Sequence, residues 1–150
     1  MRVAFARLVA VLAAFLLPLA VFAASPADEK AFVDAYRKAY ESKDAKGLSA
    51  LLYTKGADPK ALEFYRMMMS DGMGAKISSI ELKALDDEDR KRASATMPGP
   101  DGRSLKLTLP PVKKLVVRRT TQDKSGSSTS TSSVFVAESA GRLVIPVPGP

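Results

Sequence analysis

SPADEKAFVDAYRKAYESKDAKGLSALLYTKGADPKALEFYRMMMS, residues 25–70, decides the fold class, because three helices follow one another in it across short, well-punctuated turns. Ser25 caps the orphan amides of the first, Pro26 fits its first helical position, and Asp28 and Glu29 put negative charge near the positive dipole end. At about 100° per residue, Phe32, Val33, Ala35, Tyr36, Ala39 and Tyr40 share one arc, and Lys30, Asp34, Arg37, Lys38 and Glu41 gather on the other. The first helix is therefore expected to pack by one face, with Arg37, Lys38 and Glu41 in water.

Asp44 caps a second, short helix carrying Leu48, Leu51 and Leu52, which Gly47 weakens by about 1 kcal/mol relative to alanine. Asp58 and Pro59 repeat the cap-and-proline device for a third helix, Lys60 to Ser70. Its faces differ from those of the first. Leu62, Phe64, Tyr65, Met67, Met68 and Met69 cover most of its circumference, which predicts cover on more than one side.

From Lys76 the period shortens to two. Ile80, Leu82 and Ala84 alternate with polar neighbours, as do Ala93, Ala95 and Met97, and Asp86 to Asp89 read as the solvated turn between two strands. Pro98 to Gly102 makes the next turn, Leu105, Leu107 and Leu109 form another face, and Pro110 and Pro111 interrupt it before Leu115 to Val117. Lys124 to Ser133 is almost entirely serine, threonine and glycine and reads as a flexible loop, with Thr129 to Ser133 able to lead into the strand Val134 to Ala137. Arg142 to Val147 closes the chain as a strand ended by prolines.

Upstream of the helices, Arg2 and Arg7 precede an apolar run from Leu8 to Leu17, and Pro18 breaks it before Val21, Phe22, Ala23 and Ala24. Residues 1–23 thus read as a secretory signal peptide cleaved between Ala23 and Ala24, since that site puts slender Val21 and Ala23 at the positions that must be small. The run is shorter than the roughly 18 to 20 apolar residues of a spanning helix, so the processed chain is not expected to cross a membrane. Residues 24–150 then form a single domain, exported to the periplasm, with extracellular release as the alternative. The sequence has neither cysteine nor histidine, which removes disulfides, lipid attachment at the cleavage site, and dyads or triads built on imidazole. Its net charge of +7, two units of which belong to Arg2 and Arg7, favours mild attraction to anionic surfaces and does not argue for a specific nucleic acid.

Helices first and hairpin-linked strands afterwards predict an α+β domain. The run AFVDAYRKAYESKDAKGLSALL, residues 31–52, resembles the opening of the nuclear transport factor 2-like superfamily, the cystatin-like cone domains that include ketosteroid isomerase and polyketide cyclases. The third helix and the closing AESAGRLVIPV, residues 137–147, are similar in order, so the resemblance spans the mature chain. It implies N-terminal helices packed on a strongly curved antiparallel sheet, around an apolar funnel. Members include enzymes and binding modules, so the fold does not select the chemistry.

The residues themselves offer no catalytic set. A cone enzyme of the isomerase type needs a carboxylate base and an oxyanion-stabilising acid or tyrosine. Asp34 lies on a polar helix face, and Asp44 and Asp58 already have capping roles. Tyr36, Tyr40, Tyr53 and Tyr65, with Met69, combine apolar bodies with phenolic handles and are the candidate lining of a ligand pocket. Asp86 to Asp89 lacks the ligand spacing and glycine of a calcium loop, and no metal or other cofactor is implied. Lys113, Lys114, Arg118 and Arg119 are candidates for an anionic surface, although period-two geometry puts Lys113 and Arg119 on one face and Lys114 and Arg118 on the other. The expectation is an exported, non-catalytic module binding a small apolar ligand or a protein partner, with homodimerisation left open. An isomerase- or cyclase-type enzyme and an envelope-interaction protein using the basic strand region are the alternatives.

Overall fold

The computed structural model describes residues 24–99 and 101–150, so the segment read as a signal peptide, residues 1–23, lies outside the described residues. Helix α1, Pro26–Glu41, begins as its sequence predicts: Ser25 accepts from the Asp28 amide, and the Asp28 carboxylate accepts in return from the Ser25 amide. Phe32, Tyr36, Ala39 and Tyr40 are its buried face. Arg37 and Glu41 are a correction, because both are half-buried. Arg37 Nη1 donates to the Ile77 carbonyl at 2.9 Å and Glu41 Oε1 accepts from the Ile77 amide at 3.0 Å. Their charged ends satisfy the first residue of a neighbouring strand, leaving only Lys38 of the three fully exposed.

Helix α2, Ala45–Ser49, is capped by Asp44, which accepts from the Gly47 amide at 2.9 Å. A Cβ at Gly47 would lie 2.5 Å from Asp44 Oδ2 and 3.0 Å from the Ala39 Cβ, so close packing of the cap on α1 requires the glycine that weakens the helix. Strand β1, Leu52–Tyr53, and helix α3, Pro59–Ser70, follow, the latter capped by Asp58 through the Lys60 and Ala61 amides. Strand β2 is Ile77–Ala84.

The acidic run that reads as a turn starts a helix, α4, Asp87–Ser94. Asp86 caps it through the Asp89 amide, the Asp89 carboxylate accepts in return from the Asp86 amide, and Lys91 and Arg92 close its last turn. Acid at the start and base at the end suit the helix dipole, and this outweighs the weak two-fold alternation of Ala93, Ala95 and Met97. Only Met97–Pro98, β3, pairs as a strand there.

Strand β4, Ser104–Leu107, is followed by two long strands, β5, Pro111–Asp123, and β6, Gly126–Ser139. They pair antiparallel from Pro111 with Ala137 to Asp123 with Gly126, with a register shift between Pro111 and Lys113 where the prolines fall. The serine- and threonine-rich segment is thus a strand from Gly126 onward, not a flexible loop. Its backbone is paired along its whole length, and alternate polar side chains suit an arm exposed on both faces. Strands β7, Arg142–Pro146, and β8, Pro148–Gly149, end the chain.

Two sheets result. The larger has the order β1-β7-β6-β5-β2, the smaller β3-β4-β8. The α+β class is as expected, with four helices among the described residues, but the larger sheet is mixed and not strongly curled. Its mixed character comes from β1, which runs parallel to β7 and pairs Leu52 with Ile145. The core lies between the helices and this sheet, where Phe32, Tyr36 and Leu48 meet Leu115, Val117, Val136 and Ile145.

Candidate functional site

Helix α3 is apolar around most of its circumference, yet only Ala61 and Met69 of it are buried. Phe64, Met67 and Met68 remain 51 %, 64 % and 41 % exposed, which corrects the expected cover on several sides. The helix bridges a trough whose floor includes Val134 of β6. One cleft of about 600 Å³ lies against Ala61, Tyr65 and Leu105 and reaches Asp89, Arg92 and Lys114. A second, of about 610 Å³, lies against Tyr36, Met69, Leu115 and Val117 and reaches Arg119. Phe64, Met68, Ser133 and Val134 belong to both.

The charged side chains at the first cleft satisfy one another. Asp89 is fully buried and binds Lys114, and its Oδ1 accepts from Arg92 Nη2 at 2.7 Å. The Lys114 ammonium is the main cause that holds the Asp89 carboxyl down at about 2, and Asp89 in turn raises the Lys114 ammonium above its ordinary value. Asp58, also buried, caps α3 with Oδ1 and takes Arg103 Nη2 on Oδ2 at 2.7 Å.

The second cleft has a different polar end. The rings of Tyr36 and Tyr40 stack with centroids 6.1 Å apart and planes at 7°. Tyr40 Oη donates to the Asp71 carbonyl at 2.7 Å, and Arg119 Nη1 donates both to Tyr40 Oη, at 2.7 Å, and to that same carbonyl, at 3.0 Å. The guanidinium carbon also stands 5.5 Å from the Tyr40 ring centroid, a cation–π distance. Gly72, at φ +68°, makes this knot feasible, because a Cβ there would lie 2.9 Å from Tyr40 Oη. Burial is the main cause that pushes the Tyr36 phenol up to about 12, with the Arg119 charge pulling the other way, and burial also raises Tyr65. Both phenols are neutral donors at physiological pH.

The candidate residues are therefore distributed unevenly. Tyr36 and Met69 line the second cleft and Tyr65 the first, whereas Tyr40 is buried behind the second and Tyr53 sits apart on β1 beside Pro146. Internal partners hold most of the basic cluster. Lys113 binds Glu29, Lys114 binds Asp89, and Arg119 holds the Tyr40 knot, while the Arg118 side chain is exposed. Sequence reasoning missed Arg119 as a cleft residue and Arg103 as the partner of Asp58, since each joins segments far apart in the chain. Among the described residues, no group of three or more acidic side chains is arranged to hold a metal ion. Compared with family models, curated proteins and solved structures, the chain matches none of them.

Proposed function

We propose that the chain is an exported, non-catalytic binding module that takes a small, mostly apolar ligand into the trough beneath α3. The observation that carries this reading is the failure of α3 to bury its apolar surface: Phe64 and Met68 stand exposed between two clefts that share Val134, the second lined also by Leu115 and Val117. Concave, mainly apolar sites with a few fixed polar groups are the usual form of small-molecule sites, and methionine adapts to varied ligand shapes.

The alternative of an isomerase- or cyclase-type enzyme draws less support from the buried acids. General acid–base catalysis needs a group that exchanges a proton near the working pH. Asp89 is held ionised by Lys114, and Asp58 is engaged by two amides and an arginine. The likeness to the nuclear transport factor 2-like domains supports the binding reading only as a precedent for α+β scaffolds that hold apolar ligands. In this chain the ligand would lie under one helix, not inside a steep cone.

The test is a thermal-shift screen of the exported protein against sterols, fatty acids, aromatic acids and polyketide-like compounds. A ligand at ~100 times its dissociation constant stabilises the fold by about 2.7 kcal/mol, which is several degrees in Tm for a domain of this size. At least one class should give such a shift, reduced by Phe64→Ala. A panel without any shift would overturn the reading and leave a protein partner for the exposed face of α3. Intact-mass analysis of the same preparation tests export, for which a chain starting at Ala24 is expected.

A further inference from the structure

Arg119 is a cation at the end of an apolar cleft, and among the described residues no carboxylate lies within ion-pair distance of it. Its five N–H donors are used unequally. Nη1 is saturated by Tyr40 Oη and the Asp71 carbonyl, whereas among the described residues Nη2 reaches only Ser132 Oγ at a long 3.4 Å and Nε is buried with no acceptor. Nε and Nη2 form one edge of the guanidinium, the edge that presents two parallel N–H groups to a carboxylate. A buried donor left without a partner is costly, and the knot around Tyr40 and Gly72 holds the side chain in place so that this edge stays unfilled.

We infer that the second cleft recognises an apolar carboxylic acid, whose acid group takes the Nε–Nη2 edge of Arg119 and whose hydrocarbon lies along Phe64, Met67 and Met69. This rests on the binding function proposed above and names its ligand class. The acid takes the place of the Ser132 hydroxyl on Nη2 and supplies the acceptor that Nε lacks among the described residues. Electroneutrality in the cleft then comes from the ligand. The first cleft does not share this preference, because Asp89 and Asp86 already pair with Lys114 and Arg92 there.

The experiment compares decanoate, decanol and decyltrimethylammonium, each below its aggregation threshold, by calorimetry on the exported protein at neutral pH. Decanoate should bind about 10- to 100-fold more tightly than decanol, the range expected for hydrogen bonds to a charged group, and the cation most weakly. The Arg119 Nε–H resonance of the wild-type protein should move on adding decanoate and stay in place with decanol. Arg119→Met should lose the preference while retaining decanol binding, which also reports that the cleft is still formed; Arg119→Lys should restore only part of it, since the two-pronged edge is gone. Equal affinity for decanoate and decanol, or an unmoved Nε–H signal, would overturn the carboxylate assignment yet leave the apolar trough standing. Absence of binding by all three, with no shift in the broader screen, would remove the trough itself as a ligand site. The wild-type ligand series and the Nε–H signal decide the matter even if the Arg119 variants do not fold.

Discussion

Arg103 Nη2 donates to Asp58 Oδ2 at 2.7 Å, which fastens the β3–β4 hairpin to the N-terminus of α3. The same carboxylate accepts from the Lys60 and Ala61 amides, and the Asp58 amide donates to the Pro148 carbonyl at 2.9 Å, so one residue ties α3, the hairpin and β8 together. Asp58→Ala removes the cap and the ion pair at once and should cost about 2 to 3 kcal/mol. Asp58→Asn keeps the cap and should cost less. Urea midpoints of the two variants check this ordering, and a neutral Asp58→Ala would mean that α3 does not depend on its tie to the smaller sheet.

A pH dependence follows from Asp89. Its carboxyl is lowered to about 2 in the folded chain against an ordinary 3.8, so between those values the unfolded state binds the extra proton and the folded state resists it. The stabilisation it gives is complete above about pH 4 and is lost as the pH falls toward about 2. Asp89→Asn should lower stability at neutral pH and flatten the decline across that window, leaving the smaller share due to Asp28 and Asp101, which are lowered as well. Chemical denaturation at a series of acidic pH values reads the slope directly; an unchanged slope in the variant would sink the assignment.

The turn between β6 and β7 carries a local misfit. Ser139 pairs with Arg142, leaving Ala140 and Gly141 as a two-residue loop with φ values of +50° and +73°. Turns of this kind favour asparagine followed by glycine, since an alanine in the left-handed region strains its Cβ by about 1 to 2 kcal/mol. Ala140→Asn should therefore raise Tm by a few degrees without changing ligand binding, and differential scanning calorimetry measures it. A lower Tm would show that the turn has another geometry in solution.

What was legible in the sequence was local. The caps of α1, α2 and α3 are carried by Ser25, Asp44 and Asp58 within three residues of the amides they satisfy, and the buried face of α1 follows from its own periodicity. The acidic run was local too, but its charge order was the stronger signal and the alternation after it the weaker one. The parallel pair was hidden because β1 is two residues long and its partner lies at the far end of the chain. The knot of Arg119, Tyr40, Asp71 and Gly72 joins segments as far as 79 residues apart, so no spacing in the sequence announces it. The pairing of the serine-rich β6 was likewise invisible in its composition, since what makes it a strand is the facing length of β5.

The three consecutive methionines of α3 separate burial from hydrophobicity. Met69 is 5 % exposed and packs with Tyr36 and Leu115 in the core, whereas Met67, two residues earlier and chemically identical, is 64 % exposed at the rim of the second cleft. Met69→Ala opens a cavity and should cost about 2 to 4 kcal/mol, while Met67→Ala should stay within about 0.5 kcal/mol of the wild type. The ligand response should invert this order once stability is allowed for, because Met67 offers its surface to the cleft and Met69 chiefly holds the cleft's wall in place. Urea midpoints give the first comparison, and calorimetry with decanoate on the two folded variants gives the second. Equal destabilisation by both substitutions would mean that α3 is covered on both sides in solution, and a helix so covered leaves no trough for a ligand to enter.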